Sequence, residues 1–154
     1  MVKVRTAIEI LRPVDEVFSA FADFPRSAVV LHSAIQTEFL SPNTHGQGAR
    51  WRHTSGKEGA LTVAIHEVLE VQPPSLIVLT TDDESALETM RFEFTDQGQA
   101  TLVRFEVAVK SKGFFVALLA HLVKPMIRGA MTEDLERMKV AIEAGWESAI
   151  ARGD

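Results

Sequence analysis

Among the side chains able to move a proton, His53 stands in the most suggestive company. The stretch from Gly46 to His53 reads GQGARWRH, two glycines followed by basic and ring-bearing residues in strict alternation. Alternate side chains of an extended strand take opposite faces, so Arg50 and Arg52 share one face and Trp51 and His53 the other. An imidazole titrates near neutrality, which suits acid–base work. It also carries one donor and one acceptor that are costly to bury unsatisfied. A covered His53 is therefore held by a neighbouring side chain, or it meets water and ligand in a cavity. It is the best single candidate for a catalytic residue. Trp51 on the same face serves core packing or ligand lining; its roughly 150–250 Å² would contribute about 4–6 kcal/mol on burial, enough for packing alone to justify it. Arg50 and Arg52 face solvent or curl over a cavity mouth to hold an anionic or enolate oxygen.

Other motifs with chemical meaning are few. His66 lies in AIHEVLE, close to HExxH but ending in Glu70, and in a strand pattern whose side chains would not converge on zinc. No metal site is expected. The chain has no cysteine, which removes thiolate nucleophiles, disulfides and cysteine metal sites. Neither GxxxxGK[ST] nor GxGxxG occurs, so no nucleotide cofactor is implied, and no cofactor is expected. No tyrosine is present, which removes one donor suited to phenolic ligands.

At 154 residues, with 46% hydrophobic and 24% charged residues, the composition is that of one globular domain. The expectation is a single domain over residues 1–150 with a disordered tail at 151–154. Sixteen basic against 21 acidic residues, net −5, argue against nucleic acid as the main partner. MVKVRTAIEI lacks a secretory h-region, and GFFVALLAHLV, the longest apolar run, is too short for a membrane span. A cytoplasmic protein, monomer or homodimer, is the reading.

The elements that must position His53 follow from periodicity. Residues 2–10 alternate as a half-buried strand. LRPVDEVFSAFADFP then places Val14, Val17, Phe18 and Phe21 on one helical face, ending near Asp23, and a second short helix spans about 25–30. From His32 to about Lys110, short β-rich runs separated by turn residues indicate an antiparallel meander of six strands. In its last hairpin a register pairing Phe92 with Phe105 sets Glu93 against Arg104 and Arg91 against Glu106, so that Phe92, Phe94 and Phe105 point inward, as core first and ligand contacts second. After Gly113 the period is helical: Phe115, Leu118, Leu119, Leu122 and Met126 form a stripe, continued by Met131, Leu135, Met138, Ile142 and Trp146, with a kink expected at Pro125. His121, at i+3 from Leu118, caps a cavity or bonds within the helix face. The single apolar face of the sheet needs a cover, and this helix is the one large apolar stripe available. The fold class is α+β: a curved seven-stranded antiparallel sheet wrapped around a long C-terminal helix, with two short helices after strand 1.

IEILRPVDEVFSAFADFPR, GQGARW, HEVLEVQPPSLIVLTT and the closing helix DLERMKVAIEAG resemble the polyketide cyclase/dehydrase-like (SRPBCC) branch of the START/Bet v 1-like helix-grip superfamily, over nearly the whole chain. That resemblance implies a hydrophobic cavity between sheet and helix, of the kind found in aromatase/cyclases and lipid or hormone carriers. It also implies a mouth position at His32, whose other reading is an exposed loop histidine. The ligand-binding candidates are then Trp51, His53, Phe92, Phe94, Phe105, Leu118, His121, Leu122, Met126 and His32. The leading expectation is binding of a small hydrophobic, lipid-like or polyketide-like molecule, including lipid transport. The alternative is a polyketide cyclase/dehydratase-type enzyme in which His53 shuttles protons. A protein-interaction module would need an exposed apolar patch on the open sheet face or the C-terminal helix, and charges are expected there instead.

Overall fold

The computed structural model describes residues 1–32, 35–57, 60–114 and 118–147, with side chains except at positions 32, 57, 120 and 121. Strand β1 (Val2–Ile10) is followed by helices α1 (Val14–Ala22) and α2 (Phe24–His32). The strands β2 (Gln36–Phe39), β3 (Arg50–Lys57), β4 (Ala60–Gln72), β5 (Leu76–Asp82), β6 (Ala86–Asp96) and β7 (Thr101–Ser111) come next, and α3 (Ala120–Glu143) closes the order. The seven strands form one antiparallel sheet in the order β1-β7-β6-β5-β4-β3-β2. The expected tail at 151–154 lies outside the described residues.

The meander closes through tight turns that glycine permits. Gly48, at φ 85°, reverses the chain into β3, and its amide donates to the Val68 carbonyl at 2.9 Å. Gly56, at φ 111°, stands where an added Cβ would come 2.4 Å from the Ala60 carbonyl oxygen. In the β6–β7 hairpin the register is the one the sequence implies: Phe92 faces Phe105, Glu93 faces Arg104, and Arg91 faces Glu106. The charges, however, do not pair across that hairpin. Arg91 bonds Glu93 on its own strand at 2.8 Å, Glu106 is taken by Arg5 of β1, and Arg104 donates to the Thr95 hydroxyl at 3.1 Å. With β1 beside β7, Glu106 has a second cationic neighbour, and the nearer arginine wins.

The core fills one end of the inner face. Pro13 precedes α1, and Asp15 and Glu16 occupy its first turn, where the helix dipole favours anions. This sets Phe18 and Phe21 against Phe94 at ring distances of 5.3 and 5.2 Å, while Phe92 stacks on Phe105 at 4.2 Å. The C-terminal half of α3 buries Met131, Leu135, Met138 and Ile142 against β1 and α2.

The N-terminal half of the expected helix stripe is corrected. Leu118, Leu122 and Met126 are 75%, 77% and 69% exposed, and α3 continues through Pro125. The reason is angular. At about 100° per residue, the five positions from Met126 to Met131 turn the stripe by about 140°, so one face cannot carry both halves. No described helix is long and apolar enough to cross a membrane.

Candidate functional site

The inner face is graded. Along β3 its residues run Trp51, His53, Ser55; along β4, Val68, His66, Ala64, Thr62; along β5, Ile77, Leu79, Thr81; along β6, Phe94, Phe92, Met90, Glu88. Each strand begins apolar under α1 and α2 and turns polar towards the other end. Strand pairing aligns that change into a row: Trp51 opposes His66, His66 opposes Thr81, Thr81 opposes Glu88, and Glu88 opposes Val109.

Above the polar end, α3 stands off the sheet and leaves a cavity of about 370 Å³. Its sheet wall carries His53, His66, Thr81 and Glu88; its helix wall carries Ile127, Met131, Asp134 and Arg137; Met90, Phe105 and Val107 supply apolar surface. His66 Nδ1 lies 2.9 Å from the buried Thr81 hydroxyl, and the His66 ring meets His53 edge-on at 5.2 Å. Arg137 donates to the carbonyls of Val30 and Leu31, each at 3.0 Å, closing the end of α2, and it pairs with Asp134.

These surroundings tune the acids and bases. Burial pushes Asp134 up to about 7, outweighing the Arg137 guanidinium that lowers it, and the Glu133 and Glu88 charges add to the rise. Burial, followed by the charge of Asp83, raises Glu88. For Asp83 burial works upward, but the Ser85 hydroxyl and the amides of Ala86 and Ser85 hold it below the usual range. Burial lowers His53, favouring the neutral imidazole. Two carboxyls inclined to keep their protons thus share a cavity with a neutral base.

The sequence candidates separate into four groups. His53 and Phe105 line the cavity. Trp51, Phe92 and Phe94 are core residues. Trp51 is stacked between Phe24 at 5.5 Å and His66 at 5.1 Å, and with Phe92 it borders a residual void of only about 20 Å³. Leu118, Leu122 and Met126 face outward, away from the cavity. The side chains of His32 and His121 lie outside the described residues. Arg50 and Arg52 do not curl over the mouth: Arg50 is exposed, and Arg52 pairs with Glu38 on the outer face at 2.8 Å. The arginine at the cavity is Arg137.

Sequence reasoning weighed His66 only as a metal ligand and passed over Glu88 and Asp134, yet each carried a signal. Glu88 has the parity of Met90, Phe92 and Phe94, and His66 that of Ala64 and Val68. Asp134 follows Met131 by three residues and precedes Met138 by four, which sets it on the buried helix stripe.

A bent antiparallel sheet holding one long helix over a cavity is the helix-grip architecture of Bet v 1-like and START-like proteins. The chain belongs to the polyketide cyclase/dehydrase and lipid transport family, which it matches over residues 1–143. Its structure is similar to that of a protein from Thermus thermophilus, with a TM-score of 0.75 at 17% identity over 92% of this chain and 97% of that one. It is similar to the Zhui aromatase/cyclase from Streptomyces sp. R1128, at 0.69 and 13% identity over 92% and 93% of the two chains. A START superfamily protein from Mycobacterium smegmatis gives 0.67 and 17% identity over 96% and 99%. No curated protein matches the chain in sequence.

Proposed function

We infer that the protein binds a small molecule with an apolar body and a hydrogen-bonding end in the cavity between sheet and α3. The observation that carries this is the gradient of the inner face. Met90, Phe105 and Val107 offer apolar wall, and His53, His66, Thr81 and Glu88 on the sheet, with Asp134 and Arg137 on the helix, supply the polar groups. Such a cavity orients its ligand, because reversing the molecule would bury its polar end against phenylalanine. Membership of a family that includes lipid transport and polyketide processing supports the same ligand class. Native mass spectrometry of the purified protein, followed by thermal-shift screening of fatty acids, sterols and aromatic polyketides, tests the reading. A stabilising ligand that His53→Gln weakens supports it. If no member of the panel shifts the midpoint and nothing co-purifies, the reading fails.

A second reading has its own observation: Asp134 titrating near 7 across the cavity from His53, which burial keeps neutral. Those two states suit the dehydration of a β-hydroxy carbonyl compound. Neutral His53 would take the proton α to the carbonyl, protonated Asp134 would donate to the departing hydroxyl, and water would leave as the carbon–carbon double bond forms. The cavity would contribute by holding a reactive conformer. His53→Ala should then abolish turnover while leaving binding nearly intact; unchanged turnover removes this mechanism.

A further inference from the structure

The hydrogen-bonding groups of the cavity are unevenly engaged. Arg137, the one Lys or Arg among its described lining residues, gives Nε to the Val30 carbonyl and a terminal nitrogen to the Leu31 carbonyl and to Asp134. Asp83 accepts from the Ser85 hydroxyl and from the amides of Ser85 and Ala86. Glu88 differs. It lines the cavity from β6, half-buried, with no hydrogen bond or ion pair among the described residues. The charge of Asp83 acts on Glu88 and that of Glu88 on Asp134, so the three carboxyls form one electrostatic group. Lys112 acts on Asp83 from outside the cavity while paired with Asp82, and Lys124 precedes the helix wall without lining it. A carboxylate drawn out of water without a partner is costly, and the described wall supplies none to Glu88.

Resting on the reading of this space as a ligand cavity, we propose that its guest is an amine: a primary or secondary ammonium on an apolar body, donating its N–H groups to Glu88 and Asp134. Charge decides between the possible heads. An ammonium brings both the donors and the positive charge that three carboxyls facing one guanidinium lack. A hydroxyl would bring a donor and leave the charge unbalanced, and a carboxylate would add a fourth negative group. Apolar surface begins beside both acceptors. Met90 follows Glu88 on the same strand face, and Met131 lies one helical turn before Asp134. Head and body of an amphiphilic amine would therefore each meet a matching wall. The raised titration of Glu88 and Asp134 reflects the same deficit, since without a cation they retain protons that an ammonium would displace.

The test is calorimetric titration of the full chain with three probes that share one body and differ in the head: 4-phenylbutylamine, 4-phenylbutanol and 4-phenylbutanoate. At pH 8 Asp134, which titrates near 7, is ionised, while an alkylamine with a pKa of about 10 stays charged. Wild type should bind the amine about tenfold or more tighter than the alcohol, and the carboxylate more weakly than either. Glu88→Gln keeps the side-chain shape and should bring the amine down to the level of the alcohol, whose own affinity should be unchanged and reports an intact cavity. Glu67→Gln removes the same charge from the exposed outer face and should leave the preference as it is, which separates the site from the net acidity of the chain. Equal binding of amine and alcohol overturns the proposal and leaves the cavity reading standing, as does tighter binding of the carboxylate or a preference that survives Glu88→Gln. If none of the three probes binds, the cavity reading falls and this one with it.

Discussion

His66 and Thr81 oppose each other on β4 and β5, with the Thr81 hydroxyl 2.9 Å from His66 Nδ1. The contact is buried beneath the cavity and holds the imidazole in one orientation while Trp51 stacks on its face. A side chain fixed by both a hydrogen bond and a ring is a rigid part of the cavity floor.

Thr81→Val keeps the shape of the side chain and removes that bond. Leaving a buried ring nitrogen to find another partner should cost about 1–3 kcal/mol, measured by urea denaturation. A change below about 0.5 kcal/mol would show that the bond does not organise the floor.

Trp51 and His53 should respond differently although they alternate on one strand. Trp51→Ala empties a site packed between Phe24 and His66 and should cost about 3–5 kcal/mol. His53→Gln, at the cavity wall, should leave the thermal midpoint nearly unchanged and weaken ligand binding. Equal destabilisation by both would place His53 in the packed core.

The pH dependence of stability carries the signature of Asp134. Its pKa rises from 3.8 to about 7 on folding, so the native state binds the extra proton between those values. Stability from this group is therefore fully present below about pH 4 and declines as pH rises towards 7, with a slope of up to about 1.4 kcal/mol per pH unit. Raised Glu88 acts with the same sign. Lowered His53 acts oppositely, its contribution present above its ordinary value and lost as the pH falls through the folded one. Subtracting the Asp134→Asn profile from that of wild type isolates the first effect. A flat difference between pH 4 and 7 would refute it.

Arg137→Met removes the donor to the Val30 and Leu31 carbonyls and the one cation that lowers Asp134. Denaturation should register a loss of about 1–3 kcal/mol, and the carboxyl titration of Asp134, followed by NMR, should move further upward. A downward movement would mean that Arg137 does not face that carboxylate.

The sheet was legible because its signals are short-ranged. Strand parity placed Trp51 and His53 inward, and the register of Phe92 against Phe105 is the one expected, although the charges thought to favour it find other partners. The helix stripe failed where local pattern had to be carried across five residues, from Met126 to Met131. The cavity was harder to read because it is assembled by distant pieces. His53, Glu88 and Asp134 come from β3, β6 and α3, and nothing in the neighbourhood of any one of them names the other two. Glu88 and Asp134 look like ordinary surface carboxylates unless parity is applied to charged residues as strictly as to apolar ones.

The stack of Trp51 on His66, rings 5.1 Å apart and 11° from parallel, has an optical consequence. Indole emission depends on what touches the ring, and the second tryptophan, Trp146, is engaged elsewhere through its Nε1 bond to Asp23. A guest that shifts the floor would therefore dim or brighten the light emitted from within the protein. The molecule carries its own lamp beside the chamber it encloses, and titrations can be followed without a dye.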